Sequence, residues 1–543
     1  MPLKFAENAA GYYRAPLTIR HLLDNVLQSS RQQTIHYQDR SSYTYEHFIE
    51  RIDRLASCLS LLGVERGTTV AVMDWDSPRY LEAYFAIPMM GAVLQTVNVR
   101  LTPSQIAFTL AHAEANLLIV HRDFFPVIEA IRDQLPQVQK IVAIMDGADD
   151  LLPEWACGAF DALTDEAPTG FQFEDFDEDA VATTFYTSGT TGNPKGVCFT
   201  HRQIVLQALA SCGIFGASDG YIGIGYRDVY MPLTPMFHVH AWGTPYMAVM
   251  LGVKQIYPGR YDAEMICRLR RTFNITYSHC VPTVLRMILD AAAQNGTNLD
   301  GWKIAIGGSA LGRELFLEGQ GRGLALCAGY GMSESGPTMC RARSPIGPAS
   351  DADIIAARIS CGFPAAMVSL MIVDEEMNPL PNDGVAKGEL VVRAPWLTPC
   401  YVGDPEASAA LWRGGWMHTQ DIASIDPDGT LRIRDRAKDV IKSGGEWIDS
   451  IELERLIASV PEVADVSVIA VKDARWGERP FAVVVRRDSA SIDLDKLNRP
   501  IEIAIAAGRI TRYARLDRFT LVDVLPRTSV GKIDKRALRA EFV

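Results

Sequence analysis

The chain has 543 residues, 48% of them hydrophobic and 22% charged, which is typical of a folded globular protein and unlike a disordered or collagen-like chain. Asp and Glu outnumber Lys and Arg by 65 to 53, a net charge of −12, which argues against a general binder of nucleic acids or anionic membranes but allows a local basic pocket. At this length we expect more than one domain.

The cysteines and the hydrophobic segments indicate where the protein works. The ten cysteines are scattered without a C-x-x-C pair, which predicts free thiols in a reducing compartment, not disulfides or a zinc site. The N-terminal residues lack the apolar run of a signal peptide, and the longest apolar stretch, 83–94, is too short to span a bilayer. We therefore expect a cytoplasmic protein.

Helical and strand-like patterns alternate along the first third of the chain. Periodicity predicts an amphipathic helix over 45–63, a buried strand over 68–73 and a helix over 79–90. A strand over 115–120 and a helix over 124–134 follow. This alternation predicts βα units, a mostly parallel sheet covered by helices, and hence the α/β class.

The later elements suggest a second, smaller domain. An acidic connection at 174–179 leads into a strand at 180–186, and a break follows at 431–442, where a strand meets RDRAKDVIK. The tail beyond it contains the strand-like runs VSVIAV and FAVVVR and a short helix near 533–542, enough for a small α+β domain. We predict a large nucleotide-binding domain of residues 1–435 and a C-terminal domain of residues 436–543.

A glycine-rich loop follows the strand at 180–186. It reads YTSGTTGNPKGV and carries hydroxyl residues and glycines before a lysine, namely Thr187, Ser188, Gly189, Thr190, Thr191, Gly192 and Lys195. Glycines let backbone N–H groups approach a phosphate, hydroxyls donate hydrogen bonds, and the lysine supplies a charge. Pro194 before the lysine and a glycine after it distinguish this loop from the Walker P-loop.

This loop resembles the phosphate-loop signature of the AMP-forming acyl-CoA synthetase superfamily, which also includes luciferases and peptide-synthetase adenylation domains. Further segments resemble motifs of that family in the same order: PMFHVHAWG at 235–243, GGSA at 307–310, AGYGMSES at 328–335, HTQD at 418–421, RDRAKDVIKSGGEWI at 434–448 and PRTSVGKIDK at 526–535. The details of HVHAWG and IKSGGEWI look most like the medium-chain fatty acyl-CoA and methylmercaptopropionate-CoA ligase branch.

The resemblance implies both a fold and a reaction. The fold would be a large N-terminal domain of layered α/β sheets with a distorted β-barrel, followed by a small mobile α+β domain. The reaction would be activation of a carboxylic acid by ATP and Mg²⁺ as acyl-AMP, followed by transfer of the acyl group to CoA. No general base is needed, because the acid is already ionised at pH 7.

The resemblance also implies roles for particular residues. The implied catalytic residues are Lys532, Thr187, Glu334 and His238, and Thr187 and Glu334 are the implied Mg²⁺ ligands. The acid would be bound by His238, Trp242, Gly243, Gly308 and Ser309. The nucleotide and CoA would be bound by the phosphate loop and by Gly308, Gly329, Tyr330, Gly331, Ser333, Asp421, Arg436, Lys438, Lys442, Gly445 and Trp447, with Lys438 as the hinge.

Two departures from the family pattern stand out. Gln420 replaces the glycine of the usual T-G-D ribose motif, and the segment 508–519 lacks the proline that the family has after its aromatic residue. Because Asp421 is retained, we expect nucleotide binding to survive, with a changed ribose affinity or loop motion.

Several alternatives stay open at this point. The adenylate could meet another acceptor or an oxidative fate, the acid could be aromatic, or the protein could be an inactive nucleotide-binding relative. His238 and His240 could form half of a metal site, although no third ligand is recognisable and packing is favoured. The identity of the acid and the oligomeric state do not follow from the sequence, although dimers are common in this branch.

Overall fold

The computed structural model describes residues 3–147, 150–187, 193–216, 221–336, 338–345, 347–444, 446–487, 491–527 and 532–543. The helices are α1 Asp24–Ser29, α2 Tyr45–Leu61, α3 Pro78–Met89, α4 Pro103–His112, α5 Phe125–Ile131, α6 Phe160–Glu166, α7 His201–Gly216, α8 Val239–Trp242, α9 Thr244–Met250, α10 Ala263–Phe273, α11 Pro282–Asn295, α12 Arg313–Gly321, α13 Asp351–Arg358, α14 Pro405–Leu411, α15 Ser450–Ala458, α16 Leu494–Ala506 and α17 Lys535–Phe542.

The strands are β1 Thr34–Tyr37, β2 Ser41–Thr44, β3 Thr69–Met73, β4 Val93–Thr96, β5 Ala115–His121, β6 Lys140–Ile144, β7 Gly158–Ala159, β8 Val181–Thr187, β9 Lys195–Thr200, β10 Val229–Pro232, β11 Lys254–Tyr257, β12 Tyr277–Cys280, β13 Lys303–Ile306, β14 Ala325–Tyr330, β15 Cys340–Arg341, β16 Phe363–Pro364, β17 Ser369–Val373, β18 Gly388–Arg393, β19 Met417–Ile425, β20 Leu431–Arg436, β21 Ile441–Ser443, β22 Glu446–Ile448, β23 Val463–Asp473, β24 Gly477–Arg486 and β25 Arg518–Leu521.

Two large sheets form the main body. One has seven strands in the order β7-β6-β5-β3-β4-β8-β9, and the other has nine in the order β16-β15-β14-β13-β12-β10-β11-β1-β2. Neighbouring strands in the middle of each sheet are parallel, and antiparallel pairs lie towards the edges, such as β8 with β9 and β1 with β2. Parallel strands must be covered on both faces, and helices supply that cover. The predicted α/β class is confirmed.

The elements predicted in the first third are confirmed, with small shifts at their ends. The predicted helix over 45–63 is α2, which begins after Thr44, whose side chain accepts the N–H of His47. The predicted helix over 124–134 is shorter, because α5 is flanked by 3₁₀ turns at Arg122–Phe124 and Arg132–Gln134.

Two smaller sheets follow along the chain. Strands β17 to β20 form a four-stranded antiparallel sheet in the region where the family resemblance implies a distorted barrel. Strands β21 to β25 form a five-stranded sheet with α15, α16 and α17, and they enclose a core of their own that includes Leu453, Ile457, Val468, Val484 and Leu497. This arrangement agrees with a small α+β unit, and its boundary at 435/436 stays a prediction.

The segment that lacks the family's proline is held in another way. The backbone N–H of Leu516 donates to Asn498 Oδ1 at 2.8 Å, and Asn498 Nδ2 donates to the carbonyl of Leu516 at 3.0 Å. The Asn498 side chain is fully buried on α16. The Asn498 side chain therefore fixes the backbone of this segment at Leu516.

Two further observations bear on the cysteines and on membranes. All ten cysteines are free thiols, as predicted. Within the described parts of the chain, none of the helices combines the length and the apolar character that crossing a bilayer requires.

Candidate functional site

The predicted motifs meet at one edge of the nine-stranded sheet. The strands β14, β13, β12 and β10 are parallel neighbours, so their carboxyl ends lie side by side. AGYGMSES spans the end of β14, GGSA follows β13, and PMFHVHAWG follows β10. The carboxyl edge of a parallel sheet is where α/β proteins usually bind ligands. Segments far apart in sequence are thereby brought together.

The glycine-rich loop joins two strands of the seven-stranded sheet. Thr187 ends β8 and pairs in register with Lys195, which begins β9. The Lys195 ammonium lies 4.6 Å from the centre of the Tyr401 ring, within the range of a cation–π contact. Of the predicted phosphate-binding residues, Ser188, Gly189, Thr190, Thr191 and Gly192 lie outside the described residues.

Glu334 is held by a segment that the sequence analysis did not select. The Tyr401 hydroxyl donates to Glu334 Oε1 at 2.8 Å, and the Thr398 N–H donates to the Glu334 carbonyl at 2.9 Å. Glu334 is 9% exposed. No motif marks Tyr401 in the sequence, because its importance arises only from these contacts across the fold.

Asp421 is surrounded by two other predicted residues. Arg436 Nε lies 2.8 Å from Asp421 Oδ1, and the Tyr330 hydroxyl donates to Asp421 Oδ2 at 2.5 Å. Asp421 is 2% exposed. Burial raises the pKa of Asp421, while the positive charge of Arg436 and the Tyr330 hydrogen bond act in the opposite direction. Residues of two other motifs therefore meet at the carboxylate of Asp421.

Lys532 enters this cluster from the last motif. The Lys532 side chain lies close to Gly308, since a Cβ added to that glycine would be 3.9 Å from Lys532 Cε. Burial and the neighbouring charge of Arg436 lower the pKa of Lys532 to about 8, although the carboxylates of Asp421 and Glu334 favour its charged form. Lys532 therefore lies near residues predicted to bind the nucleotide and near the glycines that follow β13.

Trp242 covers the glycines that follow β13. A Cβ added to Gly307 would lie 3.0 Å from the Trp242 indole, so the ring packs directly on this backbone. On its other side the indole lies 5.1 Å from the His279 ring. Tyr230 and Thr234 hydrogen-bond to the two His279 nitrogens at 2.8 and 3.1 Å. His279 was not predicted, because a lone histidine in a buried strand gives no sequence signal.

The segment that carries Trp242 has an unusual backbone. Residues 239–243 all have positive φ, between 47° and 66°, so that α8 is a left-handed turn. Each non-glycine residue in this region costs about 1–2 kcal/mol. Gly243 is the last residue of the turn and accepts this conformation without that cost.

Side chains from the segment between β3 and the end of β4 brace the residues before this turn. Asp76 Oδ1 accepts the N–H of Met236 at 2.7 Å, and Thr96 Oγ1 donates to the carbonyl of Phe237 at 3.1 Å. The Tyr84 hydroxyl donates to the carbonyl of Met236. These contacts compensate for the strain of the turn.

The two histidines of this segment have different surroundings. Burial lowers the pKa of His238 to about 3, with the charges of Lys532 and Arg100 adding to the effect, and burial alone does the same for His240. His240 packs edge-on against the rings of Tyr84 and Phe185. Within the described ranges, no group of three or more His, Cys, Asp or Glu side chains is arranged to hold a metal. The ring contacts of His240 agree with a packing role for that side chain.

The remaining residues predicted for this edge have simple positions. Gly329 lies on β14, where an added Cβ would be 3.2 Å from the carbonyl of Cys340, and Gly331 follows the strand. Ser333 begins the 3₁₀ turn Ser333–Ser335, and Ser309 is exposed after β13.

The residues predicted for the CoA path lie outside the cluster around Asp421. Lys442 and Trp447 face each other across the hairpin of β21 and β22, with the ammonium 5.7 Å from the ring centre. Trp447 lines a cavity of about 290 Å³ together with Lys387 and Asp449. Neither residue takes part in the hydrogen bonds or ion pairs that join the described cleft residues. Gly445 lies outside the described residues, and Lys438 is exposed between β20 and β21.

Gln420 has a left-handed backbone conformation, which glycine adopts readily, and glycine is the usual residue at this position of the motif. Its φ is +57°, its N–H donates to Glu389 Oε1 at 3.1 Å, and its carbonyl accepts the N–H of Ala437 at 2.9 Å.

We expect Gln420→Val to lower the free energy of unfolding by about 1–2 kcal/mol and to raise the KM for ATP, since a β-branched residue is poorly tolerated at positive φ.

The matched variant Gln420→Gly should keep the free energy of unfolding and the KM for ATP near wild type. The relief of backbone strain is offset by the larger conformational entropy of glycine in the unfolded chain. Urea denaturation and steady-state kinetics measure the two effects. Equal behaviour of the two variants would contradict the assignment of strain to this position.

Two protein-family models match the chain: "AMP-binding enzyme" over residues 23–402 and "AMP-binding enzyme C-terminal domain" over residues 452–532. The chain is 38% identical to a long-chain-fatty-acid–CoA ligase of Thermus thermophilus, over 92% of this chain and 90% of the relative. It is 35% identical to a 3-methylmercaptopropionyl-CoA ligase of Ruegeria lacuscaerulensis, over 97% of each chain. Its fold matches a crystal structure of an anthranilate CoA ligase in complex with anthranoyl-AMP, with a TM-score of 0.84, 23% identity and coverage of 97% and 98%.

Proposed function

The chain belongs to the AMP-binding enzyme family, and from this premise we propose which acid it activates and which of its residues act in each step. The protein is an AMP-forming acid–CoA ligase that uses ATP, Mg²⁺ and CoA. A carboxylate does not acylate a thiol in neutral water, because its leaving group would be an oxide or hydroxide. Joining the carboxylate to AMP, with loss of pyrophosphate, provides a good leaving group for the thiol to displace.

We assign the first step to Lys532. Its side chain lies beside Gly308 and within the electrostatic influence of Asp421, Glu334 and Arg436. A cation in this position can offset the charge of a carboxylate and an α-phosphate as they approach each other. This convergence of the last motif with the β13 edge is the observation that carries the proposed mechanism.

Asp421 and Tyr330 are proposed to bind the nucleoside. A carboxylate can accept hydrogen bonds from both ribose hydroxyls, and Asp421 is already held by Arg436 on one oxygen and by Tyr330 on the other. The Tyr330 ring lies between glycines, which leaves its face available for stacking on adenine.

The donor set fits a nucleotide-borne Mg²⁺. Glu334 and Thr187 would hold the ion, which neutralises phosphate charge when bound. Mg²⁺ usually takes one or two protein carboxylates and fills its remaining positions with substrate phosphates and water. The buried Glu334 carboxylate agrees with this preference, while the other buried carboxylate of the cluster, Asp421, is already paired with Arg436 and Tyr330.

For the second step, we propose that the part of the chain after residue 435 rotates about Lys438 as a small domain. The present arrangement is held by Lys532 in the cleft, by the ion pair of Lys387 with Asp449 at 2.9 Å and by the N–H of Ser450, which donates to Asp435 Oδ2 at 2.6 Å. Rotation would remove these contacts and bring the 442–447 hairpin towards the acyl-AMP, where it would line the path of the CoA thiol.

The proposed substrate is a short- or medium-chain aliphatic acid, or a thioether acid of similar size. Trp242 packs on Gly307, and we propose that its indole limits the length of the acyl tail. An apolar ring at this place also suits an alkyl or thioether tail. The relative named for methylmercaptopropionate lends support to this class, whereas the relative named for long-chain fatty acids favours longer acids.

Trp242→Ala is expected to raise the relative kcat/KM for acids longer by two methylenes by about tenfold, because each buried methylene is worth about 0.8 kcal/mol. The KM for ATP should change little. Kinetics over a graded series of acids measure this, with Trp155→Ala as a control, since Trp155 packs on Phe125 away from the cleft. An unchanged acid profile with an altered KM for ATP would remove Trp242 from the acyl pocket.

Pyrophosphate release over a panel of acids, with and without CoA, tests the function as a whole. The panel should include acetate, butyrate, octanoate, palmitate, benzoate and 3-methylthiopropionate, with thioester followed by mass spectrometry. Thioester from octanoate or 3-methylthiopropionate supports the proposal, and preference for benzoate contradicts it. Release without thioester would indicate another acceptor, and no release would indicate an inactive relative.

We also infer a cytoplasmic homodimer. The free cysteines support a reducing compartment. The branch that the motifs resemble commonly forms dimers, and light scattering on the purified protein tests this. A monomer over the working concentration range would exclude the dimer.

A further inference from the structure

Tyr401 contacts two residues of the proposed phosphate site at once. We propose that Tyr401 is a positioning residue that orients Glu334 and Lys195 towards the metal–nucleotide complex, a role that rests on the function proposed above. Its hydroxyl donates to Glu334 Oε1 at 2.8 Å, and its ring lies 4.6 Å from the Lys195 ammonium. The tyrosine is 8% exposed, so both contacts are largely shielded from water.

The backbone around Tyr401 is tied to both partners. Tyr401 forms an isolated antiparallel bridge with Val197 on β9, two residues after Lys195, and the next N–H, from Val402, donates to the carbonyl of Gly196 at 2.9 Å. Thr398 donates its N–H to the Glu334 carbonyl at 2.9 Å and its hydroxyl to the Cys198 carbonyl at 2.8 Å.

This short segment therefore joins β9 to the turn that carries Glu334. Lys195 begins β9 of the seven-stranded sheet, whereas Glu334 follows β14 of the nine-stranded sheet. Without a connection their relative position would depend on the packing of whole sheets. Tyr401 supplies a direct link through a ring with only two rotatable bonds.

The two contacts act on the two partners differently. The hydroxyl hydrogen bond fixes the rotation of the Glu334 carboxylate, so that its remaining lone pairs have a defined direction. The aromatic face attracts the Lys195 ammonium and restricts a long, flexible side chain. Burial and the nearby Glu334 raise the pKa of Tyr401, so the hydroxyl remains a donor at every working pH.

Tyr401→Phe separates these effects, because it keeps the ring and removes only the hydroxyl. We expect the Mg²⁺ concentration for half-maximal adenylation to rise about tenfold, in line with loss of one hydrogen bond to a charged group. The KM for the acid should stay the same. Binding of Mn²⁺ to the enzyme with ATP but no acid, followed by electron paramagnetic resonance, should weaken by the same factor, while ATP binding in EDTA should not change.

A double-mutant cycle with Glu334→Gln tests whether Tyr401 acts through the carboxylate. Tyr401→Phe should have little further effect on Mn²⁺ binding when Glu334 is already neutral. The control is Tyr261→Phe, which removes a half-buried hydroxyl that donates to the Leu233 carbonyl at 2.8 Å, and it should leave Mn²⁺ binding unchanged.

Wild-type Mn²⁺ binding in a folded Tyr401→Phe protein would overturn the proposal, as would full additivity with Glu334→Gln. Failure of the proposed function is a distinct result, because the wild-type protein would then bind Mn²⁺ and ATP without forming thioester from any acid.

Discussion

Lys532→Ala is expected to slow acyl-AMP formation by about 10²–10³-fold while leaving thioester formation from supplied acyl-AMP and CoA near the wild-type rate. The size follows from the loss of one charged group that stabilises a transition state in a shielded site. The Lys532 side chain, now beside Gly308, would leave the cleft in the proposed rotation, so the second step would not use it. Rapid-quench assays of the two half-reactions measure the difference.

The control for this variant is Lys496→Ala, which removes an exposed ammonium paired with Glu462 at 2.8 Å in the same part of the chain. It should leave both half-reactions unchanged. Equal loss of both steps in Lys532→Ala would contradict the two-step division. The reciprocal change is Gly445→Leu, at a position outside the described residues, and it is expected to impair thioester formation first.

The pH dependence of the wild type supplies a second measurement on the same lysine. With a pKa of about 8, Lys532 of the free enzyme is charged below pH 8 and loses its charge as the pH rises above it. The kcat/KM for ATP in adenylation should therefore fall towards a tenfold loss per pH unit above about pH 8. Lys532→Arg, which stays charged, should remove this decline.

Asp421→Asn is expected to reduce kcat/KM for ATP by about 100-fold. The variant keeps the volume of the side chain and one acceptor oxygen but loses the charge and the second acceptor, and one hydrogen bond to a charged group is worth about 1.5–3 kcal/mol. It also removes the partner of Arg436, now 2.8 Å away. Isothermal titration with ATP and steady-state kinetics measure the loss.

Tyr330→Phe is the matched control, because it removes the 2.5 Å hydrogen bond to Asp421 but keeps the ring proposed to stack on adenine. Its effect should be much smaller than that of Asp421→Asn. If the two variants lost ATP affinity equally, or if Asp421→Asn changed only the KM for the acid, Asp421 would not be the ribose ligand.

Much of the fold and the site could be predicted because the information is local. Alternating periodicity gave α2, β3, α3 and β5 nearly to their ends, since each element places its own hydrophobic residues on one side. The phosphate loop and Tyr330 are recognisable because glycines and polar residues are adjacent in sequence.

Long-range contacts were not predictable in the same way. Tyr401 meets Glu334 across 67 residues, and Asp76 braces Met236 across 160. Gln420 was seen as a departure, but its φ of +57° followed only from the position of β19 against Glu389 and Ala437. Leu516 likewise gained a partner in Asn498 on another element.

By itself, the sequence determined the α/β class, the order of the motifs and the kinds of side chain available to bind phosphate, ribose and a carboxylic acid. The tertiary structure alone decided which of these side chains meet, that Lys532 lies beside Gly308, and that a left-handed turn places Trp242 on Gly307. The physical reason is that residue type and spacing act within one element. Distances between elements are set by how whole sheets and helices pack, and many distant residues share in that packing.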